Sequence, residues 1–474
     1  MAQAQGGEAP GTGHWDESFD VVVVGFGGAG AAAALEAHAR GARVVVLDRF
    51  QGGGATERSG GVVYLGGGSA QQKAAGYDDD PEQMFRYLQC ETQGVVDDDT
   101  LRAFCDQSLD TLALLENLGV PFTPQGDAPK VSYPDGDVTL YFSGNELSPP
   151  YSEAARTAPR GHRVQGKGLT GPVLFQHIRK GVLARGIDVR TACEARELVT
   201  DDQGEVVGVE LRSLPRSSLL RGLHQLVFLA ASFGGMFSNT LARWGRAVLA
   251  AIENRWGEVK RFRARGGVVL CAGGFIYNKE LTARVSPLHA ETMPLGTLGD
   301  DGSGIAMGEA VGGATGKLDR FGAWRFINPP VSLTHGVLVD REGRRICNEE
   351  LYGATVGQRI ADSPGGKSFL VIDETIRQRI LDENKQLKIN YQSVTAYLNL
   401  FVNRKKASSL DALARTAGLP VQAFVETIEA YNERARSGRG DELGKADKSF
   451  HALETPPYYA IVTDLSSGWF PTPC

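Results

Sequence analysis

The sequence predicts an α/β chain organised around a Rossmann-like parallel sheet. Three observations carry this expectation. Residues 20–50, "DVVVVGFGGAGAAAALEAHARGARVVVLDRF", read as strand, glycine turn, helix and second strand in succession. Residues 51–68, "QGGGATERSGGVVYLGGG", are dense in glycine. The chain has 474 residues with 42% hydrophobic content, enough for a large core and about two domains.

The elements of the opening stretch follow in order. Val21–Val24 is a short continuous apolar run, as a strand covered on both faces requires. It ends at Gly25-Phe26-Gly27-Gly28-Ala29-Gly30, a G-x-G-x-x-G. Ala31–Arg40 is rich in helix formers, and Gly41 stops it. Val44–Leu47 is the second strand, with Asp48 at its end, 18 residues past Gly30. Gly25 permits the turn, Gly27 and Gly28 let a pyrophosphate approach bare backbone, and Gly30 lets helix and strand pack closely. The helix N-terminus offers free N–H groups and partial positive charge to the phosphates. Asp48 is placed to accept hydrogen bonds from a ribose diol. An NAD domain would continue with a helix here. A glycine-dense loop instead lays backbone N–H groups against a flat ring, which favours FAD. Val62-Val63-Tyr64-Leu65 is the apolar anchor of that loop.

Composition narrows the remaining classes. A net charge of −6 gives no basic surface for nucleic acid. Six scattered cysteines without a C-x-x-C indicate reduced thiols in a cytosolic setting and no zinc site. Residues 1–17 are Gly-, Ala- and Gln-rich and read as a disordered lead-in without signal-peptide character.

With these motifs in hand, the chain resembles the flavoprotein family of fumarate reductase and succinate dehydrogenase subunits, which also contains the 3-ketosteroid dehydrogenases. Four segments carry the likeness: the fingerprint followed by "GGATERSGG"; "GGVVLCAGGF" (266–275); "GTLGDDGSGIAMGEAVGG" (296–313); and "HGVLVDREGRRICNEELYG" (335–353). The resemblance implies a glutathione-reductase-like FAD-binding domain with an inserted α+β cap. It implies that Gly25, Gly27, Gly30 and Asp48 hold the ADP half of FAD. Ala55, Thr56, Ser59, Gly60 and Gly61 would line the ribityl chain and flavin. Ala195 would touch the adenine region through its backbone, and Ala272, Gly273 and Asp301 would complete the contacts. No histidine lies in "GGGATERSGG", so the resemblance implies non-covalent FAD.

Two branches of the family make different demands. In fumarate reductases an arginine proton donor sits just before the glycine that opens the last of these segments. Here that place reads Thr334-His335-Gly336. "RRICNEELYGATVG" instead resembles the ketosteroid dehydrogenases, especially the Δ4-(5α) type, in which a tyrosine soon after the Asn-Glu pair reaches the steroid. Tyr352 occupies that place. The implied reaction removes a proton from a carbon activated by the 3-keto group while hydride goes to flavin N5. Tyr352 would serve it through a second hydroxyl or as phenolate. Arg344, Asn348 and Glu349 read as structural. Phe321, Trp324, Phe326 and Ile327 form an aromatic patch suited to a flat apolar substrate. A quinone or another carrier would reoxidise the flavin. The alternatives are fumarate-reductase-like reduction of an activated alkene and a non-catalytic FAD-binding remnant.

The organisation read from the sequence is an FAD domain over 18–310, a cap over 311–460 and a return to the FAD domain over 461–474. Residues 82–120 read as helical. Residues 213–265 read as a basic helical insertion, with nine Lys or Arg against two Asp or Glu. That composition suggests a hairpin resting on a membrane surface, on an otherwise cytoplasmic protein. The chain stops at "SSGWFPTPC", where the family continues into a Thr-x-Gly-Gly turn and, in ketosteroid enzymes, a Tyr-x-Ser-Gly segment. By that comparison it reads as C-terminally truncated.

Overall fold

The computed structural model describes residues 14–123, 128–134, 136–215, 218–325, 327–387 and 389–465. The expectations for residues 1–13 of the lead-in, for Phe326 and for 466–474 lie outside these.

The main sheet has six strands in the order Asp188–Arg190, Val44–Leu47, Glu17–Val24, Glu258–Leu270, Val206–Ser213, Cys193–Thr200. The first four run parallel and the last two join antiparallel. Alternate valines of the opening run serve opposite faces. Val23 and Val46 pack with Ala31, Ala34 and Leu35 of the helix Gly28–Ala39. Val22 and Val45 pack with Phe19, Val209, Leu211 and Phe262. This is why the run is continuously apolar.

A second, smaller sheet is antiparallel, in the order Val337–Asp340, Ser368–Ile372, Tyr458–Val462, Arg404–Ala407. Ile360, Ile376, Phe424 and Ile428 close its core. Tyr458–Val462 belongs wholly to this sheet, with Ile461 opposite Leu370 and Arg404. A boundary at 461 would cut that strand in two. Three short strands, Val62–Tyr64, Gly161–Arg163 and Leu140–Tyr141, form a third sheet. It anchors the glycine-dense loop, and Leu65 behind it is buried.

The helical reading of 82–120 resolves into three helices, Pro81–Thr92, Asp98–Asp106 and Ser108–Asn117. The first break is local chemistry. Gln93 and Gly94 adopt positive φ, and Asp97 then caps the next helix by accepting from Thr100 N at 2.9 Å. The insertion forms two helices, Ser218–Phe237 and Asn239–Trp256. They pack through small residues, and a Cβ on Gly245 would lie 2.1 Å from the Ala231 Cβ. The helical part ends at Trp256. Residues 258–265 belong to the long central strand, whose alternating basic residues resemble a helical face only in composition. Among the described residues no helix is long and apolar enough to cross a membrane.

Candidate cofactor and active site

A cavity of about 650 Å³ opens where the parallel strands end, within the range of cofactor sites. Its wall includes Gly25, Gly27, Gly28, Asp48, Ala55, Thr56, Ala195, Ala272 and Gly273 from the sequence-derived set. Gly25 (φ +101°) makes the turn, and a Cβ there would lie 2.2 Å from the Cys271 carbonyl oxygen. Gly30 is off the wall because its work is packing. A Cβ there would lie 1.9 Å from the Gly25 carbonyl oxygen. Gly27 differs from both: an added Cβ would meet no protein atom closer than 3.8 Å. Protein packing does not demand glycine at 27, which leaves bare backbone on the cavity wall. Gly27 also caps the helix Gly28–Ala39 with no side chain across its end.

Thr56 ties the two glycine loops together, its Oγ1 accepting from Gly28 N at 3.0 Å. Asp48 does the same more extensively. One carboxylate oxygen accepts from Phe26 N at 2.9 Å, and the other from Phe50 N at 2.8 Å and Gly52 N at 3.0 Å. About one of its four lone-pair positions remains for a ribose hydroxyl. The residue shapes the cradle first.

Several expected contacts lie elsewhere. Ser59, Gly60 and Gly61 are not on the cavity wall. The Gly60 carbonyl accepts from the Tyr133 and Thr170 hydroxyls at 2.8 and 2.9 Å. A Cβ on Gly61 would lie 2.4 Å from Thr170 backbone, so these glycines fix the loop to its support. Asp300, not Asp301, stands on the wall, accepting from Gly274 N at 3.0 Å and Thr297 N at 2.6 Å. Asp301 instead accepts from Ser303 N at 3.0 Å and lies 3.4 Å from Arg49. Tandem aspartates gave no sequence signal to separate them.

Tyr352 is off this wall and lines a separate small recess with Lys130, Ile327, Asn328 and Thr334. It precedes the helix Gly353–Asp362. Its backbone N–H donates to Asn145 Oδ1 at 2.6 Å, and its ring meets Trp324 edge-on at 4.8 Å. The Asn145 amide also donates to Glu91 at 2.9 Å and to Thr355 Oγ1 at 2.7 Å. Tyr87 donates to Glu91 at 3.0 Å, and Tyr64 to Glu146 at 3.2 Å. Burial raises both carboxyls above their ordinary range. Burial, then Glu91 and Glu146, push the Tyr352 phenol well above its own. The surroundings therefore oppose phenolate. The acids escaped the sequence reading because they lie in helices and loops without a motif.

Glu349 is structural as expected, but its guanidinium partner is Arg345. Arg344 is exposed beside Glu342. Arg345 pairs with Glu349 and Asp441, while Lys445 Nζ lies 2.7 Å from Glu349. Asn348 Oδ1 accepts from Glu350 N at 2.9 Å. Burial, then His451 and Lys445, push His335 down to about 4, so its imidazole is neutral at neutral pH.

The uncapped helix end, the unpacked Gly27 and the size of the cavity fit the pyrophosphate and rings of FAD. The family described as FAD binding domain matches residues 20–465. The chain belongs to this family of FAD-binding proteins. It is an FAD-dependent oxidoreductase with the flavoprotein fold. It is 34% identical to the 3-oxo-5-alpha-steroid 4-dehydrogenase of Comamonas testosteroni, over 96% of this chain and 87% of that one. The crystal structure of 3-ketosteroid-delta4-(5alpha)-dehydrogenase from Rhodococcus jostii, in complex with 4-androstene-3,17-dione, superposes with a TM-score of 0.79. It shares 29% identity, over 96% of this chain and 84% of that one. The cytochrome-type fumarate reductase of Shewanella frigidimarina is 24% identical over 94% of this chain and 65% of its own.

Proposed function

We propose that this flavoprotein is a ketosteroid dehydrogenase, desaturating a C–C bond next to a ring ketone. The observation that carries the reading is Tyr352, whose backbone N–H is held by Asn145 and whose ring packs edge-on against Trp324. Bound FAD, held non-covalently, supplies the hydride acceptor. The cradle Gly25–Ala29, with Thr56, Ala272 and Gly273, would hold it. Tyr352 acts as a neutral phenol, donating a hydrogen bond to substrate and relaying a proton. A phenolate base would need the pKa moved the other way. Tyr352→Phe should lower kcat by roughly 10²–10⁴-fold, the usual span for a positioned acid or base. FAD affinity should stay unchanged. A loss of FAD with an intact kcat per bound flavin would remove Tyr352 from the proton path.

The fumarate-reductase-like alternative has less support. His335 stands where an arginine donor is needed, and a neutral imidazole is a weak proton source at neutral pH. Anaerobic addition of a 3-ketosteroid should bleach the oxidised flavin. Reoxidation of reduced flavin by fumarate, without steroid bleaching, would exchange the two readings. Neither response from a loaded protein would leave a binding role alone. The acceptor we propose for the reduced flavin is a quinone or another carrier.

We also assign a peripheral membrane contact to the hairpin Ser218–Phe237/Asn239–Trp256. Leu219, Leu223, Leu226 and Trp244 are 83, 44, 65 and 65% exposed. The leucines recur at helical spacing on one face. Arg243 and Arg255 are exposed, and the sole acid of the hairpin, Glu253, is buried. Such a face suits an anionic bilayer. The protein should sediment with phosphatidylglycerol vesicles, and Leu226→Ser/Trp244→Ser should not. Equal pelleting of both would contradict the contact.

A further inference from the structure

The dinucleotide fold does not need a helical hairpin between its last two sheet strands. Yet Gln225, Phe228 and Leu229 of that hairpin stand on the wall of the glycine-lined cavity. They share the wall with Arg49 and Phe50, which follow Asp48 directly, and with Glu194 and Ala195. In a dinucleotide fold this is the adenosine end, since the helix N-terminus takes the pyrophosphate and the end of the second strand meets the ribose.

The inner face of the hairpin is fixed to this end. Arg49 donates to Glu253 through Nε at 3.0 Å and Nη2 at 2.8 Å. His224 Nε2 lies 2.9 Å from the same carboxylate. His224 and Glu253 are buried. The Phe50 ring stacks on Phe228 at 4.2 Å and on His224 at 5.8 Å. An ion-paired and stacked latch of this kind holds Phe228 and Gln225 in place on the wall. Gln225 is exposed and its side chain makes no hydrogen bond among the described residues, while its neighbour His224 turns Nε2 to the latch side.

We infer that the hairpin is a cofactor-binding element, closing the adenosine end of the FAD cavity. Phe228 and Leu229 supply an apolar wall to the purine. The Gln225 amide, with two donors and an acceptor, pairs with its polar edge. This rests on the FAD reading of the cavity and adds to it residues that the dinucleotide fingerprint does not contain.

The test is equilibrium titration of the full chain with FAD, followed by quenching of flavin fluorescence, and competition by ADP. ADP carries the adenosine and none of the flavin. Gln225→Ala should weaken FAD about tenfold, the scale of one hydrogen bond with a favourable geometry, and ADP by the same factor. Phe228→Ala should weaken both at least as much. Leu223→Ala, on the outer face of the same helix, should change neither. Unaltered FAD and ADP affinities in Gln225→Ala and Phe228→Ala would overturn the inference. So would weakening of FAD with ADP unchanged, or equal weakening in Leu223→Ala. A folded wild-type chain that takes up no FAD would remove the cofactor reading itself, and this inference with it.

Discussion

Lys445→Met is expected to lower the unfolding free energy by about 3–5 kcal/mol, the cost of leaving a buried charge uncompensated. Lys445 is buried, donates to the Gly336 carbonyl at 2.6 Å and lies 2.7 Å from Glu349. Arg345 is shared between Glu349 and Asp441. The cluster is neutral with Lys445 and carries one excess negative charge without it. The pH dependence follows. Burial alone would raise the Glu349 carboxyl, but Lys445 and Arg345 more than offset it and hold it below its ordinary value. Its contribution is present above the carboxylate's unfolded pKa of about 4.3 and is lost as pH falls below that. The variant lacks part of that contribution, so its deficit should shrink on acidification. Urea denaturation at pH 7 and near pH 4 checks both statements. A deficit under about 1 kcal/mol at pH 7, the level of an ordinary surface pair, would mean that the cluster is not a closed set of charges.

Gly27→Val should abolish tight FAD binding, weakening it by at least about a hundredfold, or roughly 3 kcal/mol. The melting temperature of the apoprotein should barely move. An added Cβ at 27 meets nothing in the protein within 3.8 Å, so its methyls must occupy the cavity. Gly30→Ala is the contrast. Its Cβ would lie 1.9 Å from a backbone oxygen, so stability and FAD affinity should fall together. The pair separates a ligand glycine from a packing glycine. Melting curves and FAD titrations of the two variants check it, and a destabilised Gly27→Val with intact FAD affinity would reverse the assignment.

Local chemistry was the legible part of this chain. The fingerprint declares itself because strand, turn, helix, strand and acid each leave their own residue types. Gly25 makes the turn and Gly30 the close packing read from the sequence, while the Gly28 N–H is taken by Thr56. What the sequence concealed depends on long-range partners or on a one-residue choice. Arg344 and Arg345 are alike on paper, yet only Arg345 points into the charge cluster. Asp300 and Asp301 divide similarly. Gly60 and Gly61 look like cofactor glycines but are required by Tyr133 and Thr170, which are distant in sequence. Residues 258–265 matched a basic helix in composition because a central strand with one exposed face also carries charge on alternate positions. Glu91, Asn145 and Glu146 meet Tyr352 only through folding.

Two glycine loops and an uncapped helix end form the cradle assigned to the flavin nucleotide. Its most direct test is the visible spectrum of the full chain after incubation with excess FAD and removal of free cofactor. The account predicts one flavin per chain, with absorption bands shifted from those of free FAD. A folded chain that returns from the desalting column without yellow colour would contradict it.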